Sequence, residues 1–225
     1  MSTGVIIQAR MGSARLPGKV LRQIGSLPLL GHVVGRLALS KHDIHVVVAT
    51  SLLPQDDAIA AYCADIKVNC FRGSELDVLD RYYQCAKCHG FDHIIRLTAD
   101  NPFTDIEELD RLIELHFREN NSFTHSFGQL PIGVGAEIFS FDALEKSWQK
   151  GHAAHHREHV DEYLLENPAV FKSGMLNVPI AKNHPDLRLT VDTEDDWFKA
   201  EALVKRAGNQ WLTTEKIIEL CLASA

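Results

Sequence analysis

The sequence predicts an α/β fold: a mainly parallel sheet with helices on both faces, followed by a β-rich and helical insertion. Three observations carry this. Through roughly the first 120 residues, short apolar runs alternate with segments whose apolar residues recur at helical spacing. The apolar runs are continuous, as strands covered on both faces require. The first of them opens directly into a loop rich in glycine and positive charge.

In order along the chain, Val5-Ile6-Ile7 reads as a buried strand and Leu29–Leu37 as a helix. His45–Ala49 is a second strand, and Asp56–Tyr62 a helix capped by its acidic start. Val68–Phe71 is a third strand, and Ser74–Cys88 a helix with a Ser74-x-x-Asp77 capping signal. Ile94–Leu97 is a fourth strand and Asp105–His116 the next helix. The pattern then changes. Ser122–Phe127 and Glu137–Phe141 read as extended segments flanking the glycine-rich stretch Gly128–Gly135. A His-rich segment runs into one helix, His155–Glu166. Val170–Val178 looks extended, Leu187–Val191 is another strand, and two helices end the chain. No linker-like break, repeat or low-complexity tract divides it, so residues 1–225 read as one domain with 120–180 as an insertion or interface arm.

The loop Gln8-Ala9-Arg10-Met11-Gly12-Ser13-Ala14-Arg15-Leu16-Pro17-Gly18-Lys19 places three cations around two glycines. Glycines let backbone N–H groups approach oxygens closely, and cations neutralise a polyphosphate. The loop matches neither G-x-x-x-x-G-K-[ST], being one residue too long with Val20 after Lys19, nor G-x-G-x-x-G. A nucleoside triphosphate is the first substrate it suggests; a solvated surface turn is the plain alternative. In a parallel sheet, ligands bind beyond the carboxyl ends of strands. The Thr98-Ala99-Asp100-Asn101-Pro102 turn after the fourth strand falls at that same edge.

Composition narrows the partners. A net charge of −7 argues against a nucleic-acid or anionic-membrane surface, which makes the basic loop a local exception suited to a small anion. No apolar run approaches the ~20 residues of a membrane span, and the start lacks a leader pattern. Five cysteines without framework spacing suggest reduced thiols in a cytoplasm. Cys85-Ala86-Lys87-Cys88 lies on an amphipathic helical pattern without a second pair and reads as packing thiols. His152, His155, His156 and His159 lack a nearby Cys or an H-E-x-x-H arrangement, so a solvent-facing or interface helix is preferred to zinc.

Phosphoryl chemistry on a triphosphate almost always uses Mg²⁺ held by one or two carboxylates. Asp100 ends the fourth strand, and Asp192 ends Leu189-Thr190-Val191 before an acidic helix start. Alone, each reads as a turn or capping residue; with the basic loop, the pair reads as metal ligands.

Four stretches stand in order: the basic loop, Phe71-Arg72-Gly73-Ser74-x-x-Asp77-Val78-Leu79-Asp80-Arg81-Tyr82, Arg96-Leu97-Thr98-Ala99-Asp100-Asn101-Pro102, and Leu189-Thr190-Val191-Asp192-Thr193-Glu194-Asp195. With them the chain resembles the cytidylyltransferases of the spore-coat polysaccharide type, relatives of the CMP-sialic acid and CMP-Kdo synthetases. The resemblance implies a Rossmann-like, GT-A-type nucleotidyltransferase fold, a homodimer, CTP and Mg²⁺. It implies Ala9, Arg10, Gly12, Ser13, Arg15 and Lys19 around the triphosphate, with Arg72, Ser74 and Asp77 near the cytosine and ribose. Asp100 and Asp192 would hold the metal, and Arg10 and Lys19 would stabilise the departing pyrophosphate.

The same resemblance implies a small anionic acceptor, an acidic 2-keto sugar such as a nonulosonic acid. Glu137, Arg157, Glu158, His159 and Arg188 are its candidate contacts, with Arg157 or Arg188 meeting a carboxylate; ordinary ion pairing is the plain alternative for each. The chain also departs from the family. Pro131-Ile132-Gly133-Val134-Gly135-Ala136-Glu137 stands where such proteins usually carry Pro-Arg-Gly-Leu-Asp-Val-Glu, so Ile132 and Gly135 replace Arg and Asp. That keeps other readings open. They are a sugar-1-phosphate nucleotidyltransferase using UTP, dTTP or GTP, transfer to a phosphate or phosphonate oxygen, and a nucleotide-binding module without catalysis.

Overall fold

The computed structural model describes residues 1–208 and 210–223. The chain begins with β1 (Thr3–Gln8), makes a small hairpin of β2 (Gln23–Ile24) and β3 (Leu27–Pro28), and enters α1 (Leu29–Leu37). There follow β4 (His45–Ser51), α2 (Asp57–Asp65), β5 (Asn69–Gly73), α3 (Val78–His89), β6 (His93–Thr98) and α4 (Ile106–Glu119). The second half holds β7 (Phe123–His125), β8 (Glu137–Ser140), α5 (Phe141–Lys150), α6 (Ala154–Glu158) and α7 (Glu162–Glu166). It ends with β9 (Ser173–Met175), α8 (Glu194–Ala207) and α9 (Thr214–Leu222).

Seven strands form one sheet in the order β5-β4-β1-β6-β8-β7-β9. The first four are parallel; β8 runs antiparallel to both β6 and β7, and β9 is parallel to β7. The alternation of side chains across β1 divides the core. Val5 and Ile7 pack with Val48, Ile95 and Leu97 under α1, α2 and α4. Ile6 packs with Val47, Ala49, Ile94 and Phe139 under α3, α5 and α7. Burying each such side chain contributes about 1.5–3 kcal/mol. Gly4 is a glycine because a Cβ there would sit 2.2 Å from the Phe91 ring. A third cluster, including Leu16, Phe103, Val134, Val191 and Trp197, packs α8 and α9 beneath the loops at the carboxyl edge of the sheet.

The α/β architecture and the strand–helix order agree with the sequence; several local expectations do not. α3 starts at Val78 with Asp77 as its cap, accepting from Asp80 N at 2.8 Å, whereas Ser74 Oγ accepts from Asp77 N in the preceding turn. Asp56 does not cap α2, because its carboxylate is drawn to other backbone. The expected helix His155–Glu166 is two helices, α6 and α7. His159 between them is extended, and Val160 beyond it is fully buried in the α3 side of the core, which a continuous exposed helix would not allow. Leu187–Val191 is extended but forms no strand; it pairs with loops, Leu189 N to Ile132 O at 2.8 Å and Val191 N to Asp100 O at 2.9 Å. Helix α5 was not read from the sequence, although Ser140 caps it and Gly151 ends it. Among the described residues, no helix is long and apolar enough to cross a membrane.

Candidate active site

β1 and β6 are neighbours, so the segments leaving their carboxyl ends lie side by side. Ala9 N donates to Ala49 O at 3.1 Å and Ala99 N to Gln8 O at 2.9 Å, which continues the sheet pairing into both loops. The basic loop closes on itself: Ser13 N and Gly18 N both donate to Met11 O, at 3.0 and 2.9 Å. Gly18 has φ +70°, the left-handed turn that brings Lys19 back toward the sheet. Asp56 anchors the loop from below. Its Oδ1 accepts from Met11 N at 2.7 Å, and its Oδ2 accepts from Ser51 Oγ at 2.5 Å and Ser51 N at 3.2 Å. Burial alone would push the Asp56 carboxyl up; the hydrogen bonds from Ser51 and Met11 outweigh it and hold it below the ordinary range.

Lys19 is buried at the centre. Its Nζ donates to Asp100 Oδ2 at 2.9 Å, to Asp192 Oδ1 at 2.9 Å and to Val191 O at 2.8 Å. Thr98 Oγ1 donates to Asp100 Oδ1 at 2.5 Å and fixes that carboxylate. Arg15 reaches Asp192 at 3.2 Å, and Arg188 pairs with its other oxygen. Burial pushes the Asp192 carboxyl up, but the Lys19 hydrogen bond and the charges of Lys19, Arg15 and Arg188 bring it below its ordinary value. Two aspartates from distant segments thus converge on one cation, the Lys19 ammonium. A pair of carboxylates is an oxygen donor set suited to Mg²⁺.

A cleft of about 480 Å³ opens above this cluster, lined by Arg10, Gly12, Ser13, Arg15, Lys19 and Asp100 on one side and Glu158 and His159 on the other. Arg10 is steadied by donating to Glu75 O at 3.1 Å, and Ser13 Oγ accepts from Leu16 N at 3.3 Å. Ala9 is buried in the core and does not line the cleft. Arg72, Ser74 and Asp77 do not line the cleft. Arg72 braces the loop after β4 through Ser51 O, Leu53 O and Asp57. Asp77 receives Arg157 through Nε at 2.8 Å and Nη2 at 2.6 Å, and Arg157 also donates to Trp148 O. That fastening of α6 onto α3 is what brings Glu158 and His159 to the cleft. Arg188 faces Asp192 and Asp196.

A second cleft of about 340 Å³ adjoins the first, and Arg96 and Thr98 line both. Glu137 lies at its floor, fully buried and paired with Arg96. Burial pushes the Glu137 carboxyl up to about 8, the Arg96 guanidinium pulling only part of the way back. The segment carrying the two departures forms one wall. Gly133, at φ +89°, lies so near the 187–191 segment that a Cβ would be 2.6 Å from Thr190 N. A Cβ on Gly135 would be 2.6 Å from Ser126 Oγ.

Sequence reading missed Asp56, Thr98 and Arg96. Arg96 carried a signal, a lone cation inside the apolar run Ile94–Leu97; Asp56 was masked by its resemblance to a helix cap. His155, His156 and Glu166 bring three ligand atoms within 4.8 Å of one another. Yet His156 Nδ1 accepts from Ala153 N at 3.3 Å, so its proton resides on Nε2, which donates to Glu166 at 2.7 Å. A metal would need that nitrogen bare.

Comparison with known proteins identifies the family and the fold. The profile of the family described as cytidylyltransferase matches residues 4–221. The spore coat polysaccharide biosynthesis protein SpsF of Bacillus subtilis (strain 168) is 39% identical over 210 residues, 91% of this chain and 87% of that protein. A cytidylyltransferase from Leptospira borgpetersenii serovar Hardjo-bovis superposes with a TM-score of 0.93 at 32% identity, over 100% of this chain and 95% of that one. A CMP:2-keto-3-deoxy-manno-octonic acid synthetase in complex with CTP shares the fold, with a TM-score of 0.68 at 18% identity over 92% and 99% of the two chains.

Proposed function

The chain belongs to the cytidylyltransferase family, and on that premise we propose that it transfers CMP from CTP to an oxygen of a small acidic acceptor, an acidic 2-keto sugar, releasing pyrophosphate. The observation that carries this is the convergence of Lys19, Asp100 and Asp192 beside the basic loop, with a second cleft adjoining.

The loop's backbone N–H groups, with Arg10 and Arg15, meet the triphosphate oxygens. Asp100 and Asp192 would hold Mg²⁺, which when bound would neutralise phosphate charge and polarise the α-phosphate. Lys19 sits within reach of both carboxylates and of the loop, placed to follow negative charge onto the departing pyrophosphate. The acceptor oxygen attacks the α-phosphorus in line. A new P–O bond forms, the bond to pyrophosphate breaks, and the acceptor hydroxyl releases its proton to solvent. No covalent enzyme intermediate is required; positioning and charge neutralisation lower the barrier. The same reading takes the protein to be a homodimer, which light scattering measures directly.

Thermal stabilisation by CTP with Mg²⁺, compared with UTP, dTTP and GTP, tests the nucleotide. A larger shift with CTP is expected, and equal shifts with all four defeat the assignment. Pyrophosphate release across a panel of 2-keto sugar acids, sugar 1-phosphates and phosphonates, with mass spectrometry of the product, tests the acceptor.

A further inference from the structure

We propose that Arg96 anchors a carboxylate of the acceptor at the junction of the two clefts; this rests on the reading of the site just given. Arg96 lines both clefts, and among the described residues lining the second it is the one cation, with Glu137 the one anion. The arginines that the sequence offered for this task are engaged elsewhere. Arg157 is held by Asp77 and Trp148 O, and Arg188 by Asp192 and Asp196.

Arg96 faces Glu137 in register across the β6–β8 pair and donates to it through Nη1. Its Nε is buried with no protein partner, and 18% of the side chain remains exposed. A guanidinium engaged at one corner keeps donors in a fixed plane, the geometry that recognises a carboxylate with two hydrogen bonds. Other walls of the second cleft are Leu130, Pro131, Ile132 and glycines, none of which supplies charge. Arg96 also lies on the strand that leads to Asp100. An acceptor held there by its acid group therefore directs the adjacent hydroxyl toward the phosphate-facing cleft.

The test is calorimetric titration of 3-deoxy-manno-octulosonate and N-acetylneuraminate, each as free acid and as methyl ester. Wild type, Arg96→Lys and Arg96→Gln are compared, with and without α,β-methylene-CTP and Mg²⁺. Because Arg96→Gln leaves Glu137 buried without its partner, the double variant Arg96→Gln/Glu137→Gln is titrated beside it, and circular dichroism confirms that each folds. Wild type is expected to prefer at least one acid over its ester by about tenfold or more. Both Gln variants should reduce that preference to within about twofold, with the Lys variant between, while CTP-analogue affinity stays within about twofold of wild type. Wild type without acid preference, Gln variants that retain it, or parallel loss of nucleotide binding would each overturn the assignment. Failure of the analogue to bind wild type strikes the cytidylyl reading separately, since the acid–ester comparison is also made without nucleotide.

Discussion

Lys19 Nζ lies 2.9 Å from Asp192 Oδ1, 173 residues away in sequence, and 2.9 Å from Asp100 Oδ2. One buried ammonium therefore balances two carboxylates that would otherwise repel each other. Lys19→Met should destabilise the protein by about 2–4 kcal/mol, because it leaves Asp100 without its charge partner and Asp192 with only Arg15 and Arg188. Mg²⁺ alone should then raise the melting temperature of this variant more than that of wild type, by restoring positive charge between the aspartates. Scanning calorimetry with and without Mg²⁺ measures both effects, and equal Mg²⁺ responses would count against a shared metal site.

Asp100→Ala and Asp192→Ala should each lower kcat by about a hundredfold or more with little change in circular dichroism. Near-normal turnover of either variant removes that aspartate from the metal-binding role.

Asp56 tests whether loop position matters apart from loop charge. It touches Met11 N and Ser51 and does not line the cleft. Asp56→Ala should cost about 1–3 kcal/mol through unpaired buried donors and raise KM for CTP by about tenfold. Urea unfolding and steady-state kinetics report the two effects; a variant that loses stability while keeping its KM shows that the loop holds its shape without this anchor.

The pair His116 and His93 sets a pH dependence of stability. Burial first, and then the neighbouring His93, lowers the His116 pKa from 6.5 to about 4. Between those values the unfolded chain binds more protons than the folded one. The contribution is thus fully present above about pH 6.5 and is lost as the pH falls toward 4. Its upper bound is about 3 kcal/mol. Urea midpoints should fall across this window in wild type and fall less in His116→Asn; parallel curves would show that the acid sensitivity lies elsewhere.

Gly135→Asp, which restores the residue usual in the resembling family, should destabilise this chain by about 1–3 kcal/mol, because the new Cβ meets Ser126 Oγ at 2.6 Å. That hydroxyl also holds Ala136 N at 3.0 Å and Ala136 O at 3.1 Å. The double variant Ser126→Gly/Gly135→Asp should recover part of the loss in thermal denaturation, and no recovery would place the strain outside this contact.

Continuous apolar runs such as Val5-Ile6-Ile7, the helical spacing of Leu30, Val33 and Leu37, and the glycine-bounded loop ending at Lys19 were determined by the sequence alone. Their signals are local: burial on both faces, a turn of 3.6 residues, and a left-handed glycine each need only neighbouring positions to be read. Tertiary structure decided what depends on distant partners. Val160 broke an expected helix because the core takes its side chain, and Leu187–Val191 paired with the loops carrying Ile132 and Asp100. Asp56 left its capping role for Met11 N, and Arg157 was drawn to Asp77. Strand order, too, set Arg96 opposite Glu137, since antiparallel β8 lies beside β6 only in the assembled sheet. Charges in a sequence state which attractions are available; the packed chain selects among them, because burial raises the cost of every charge left without a partner.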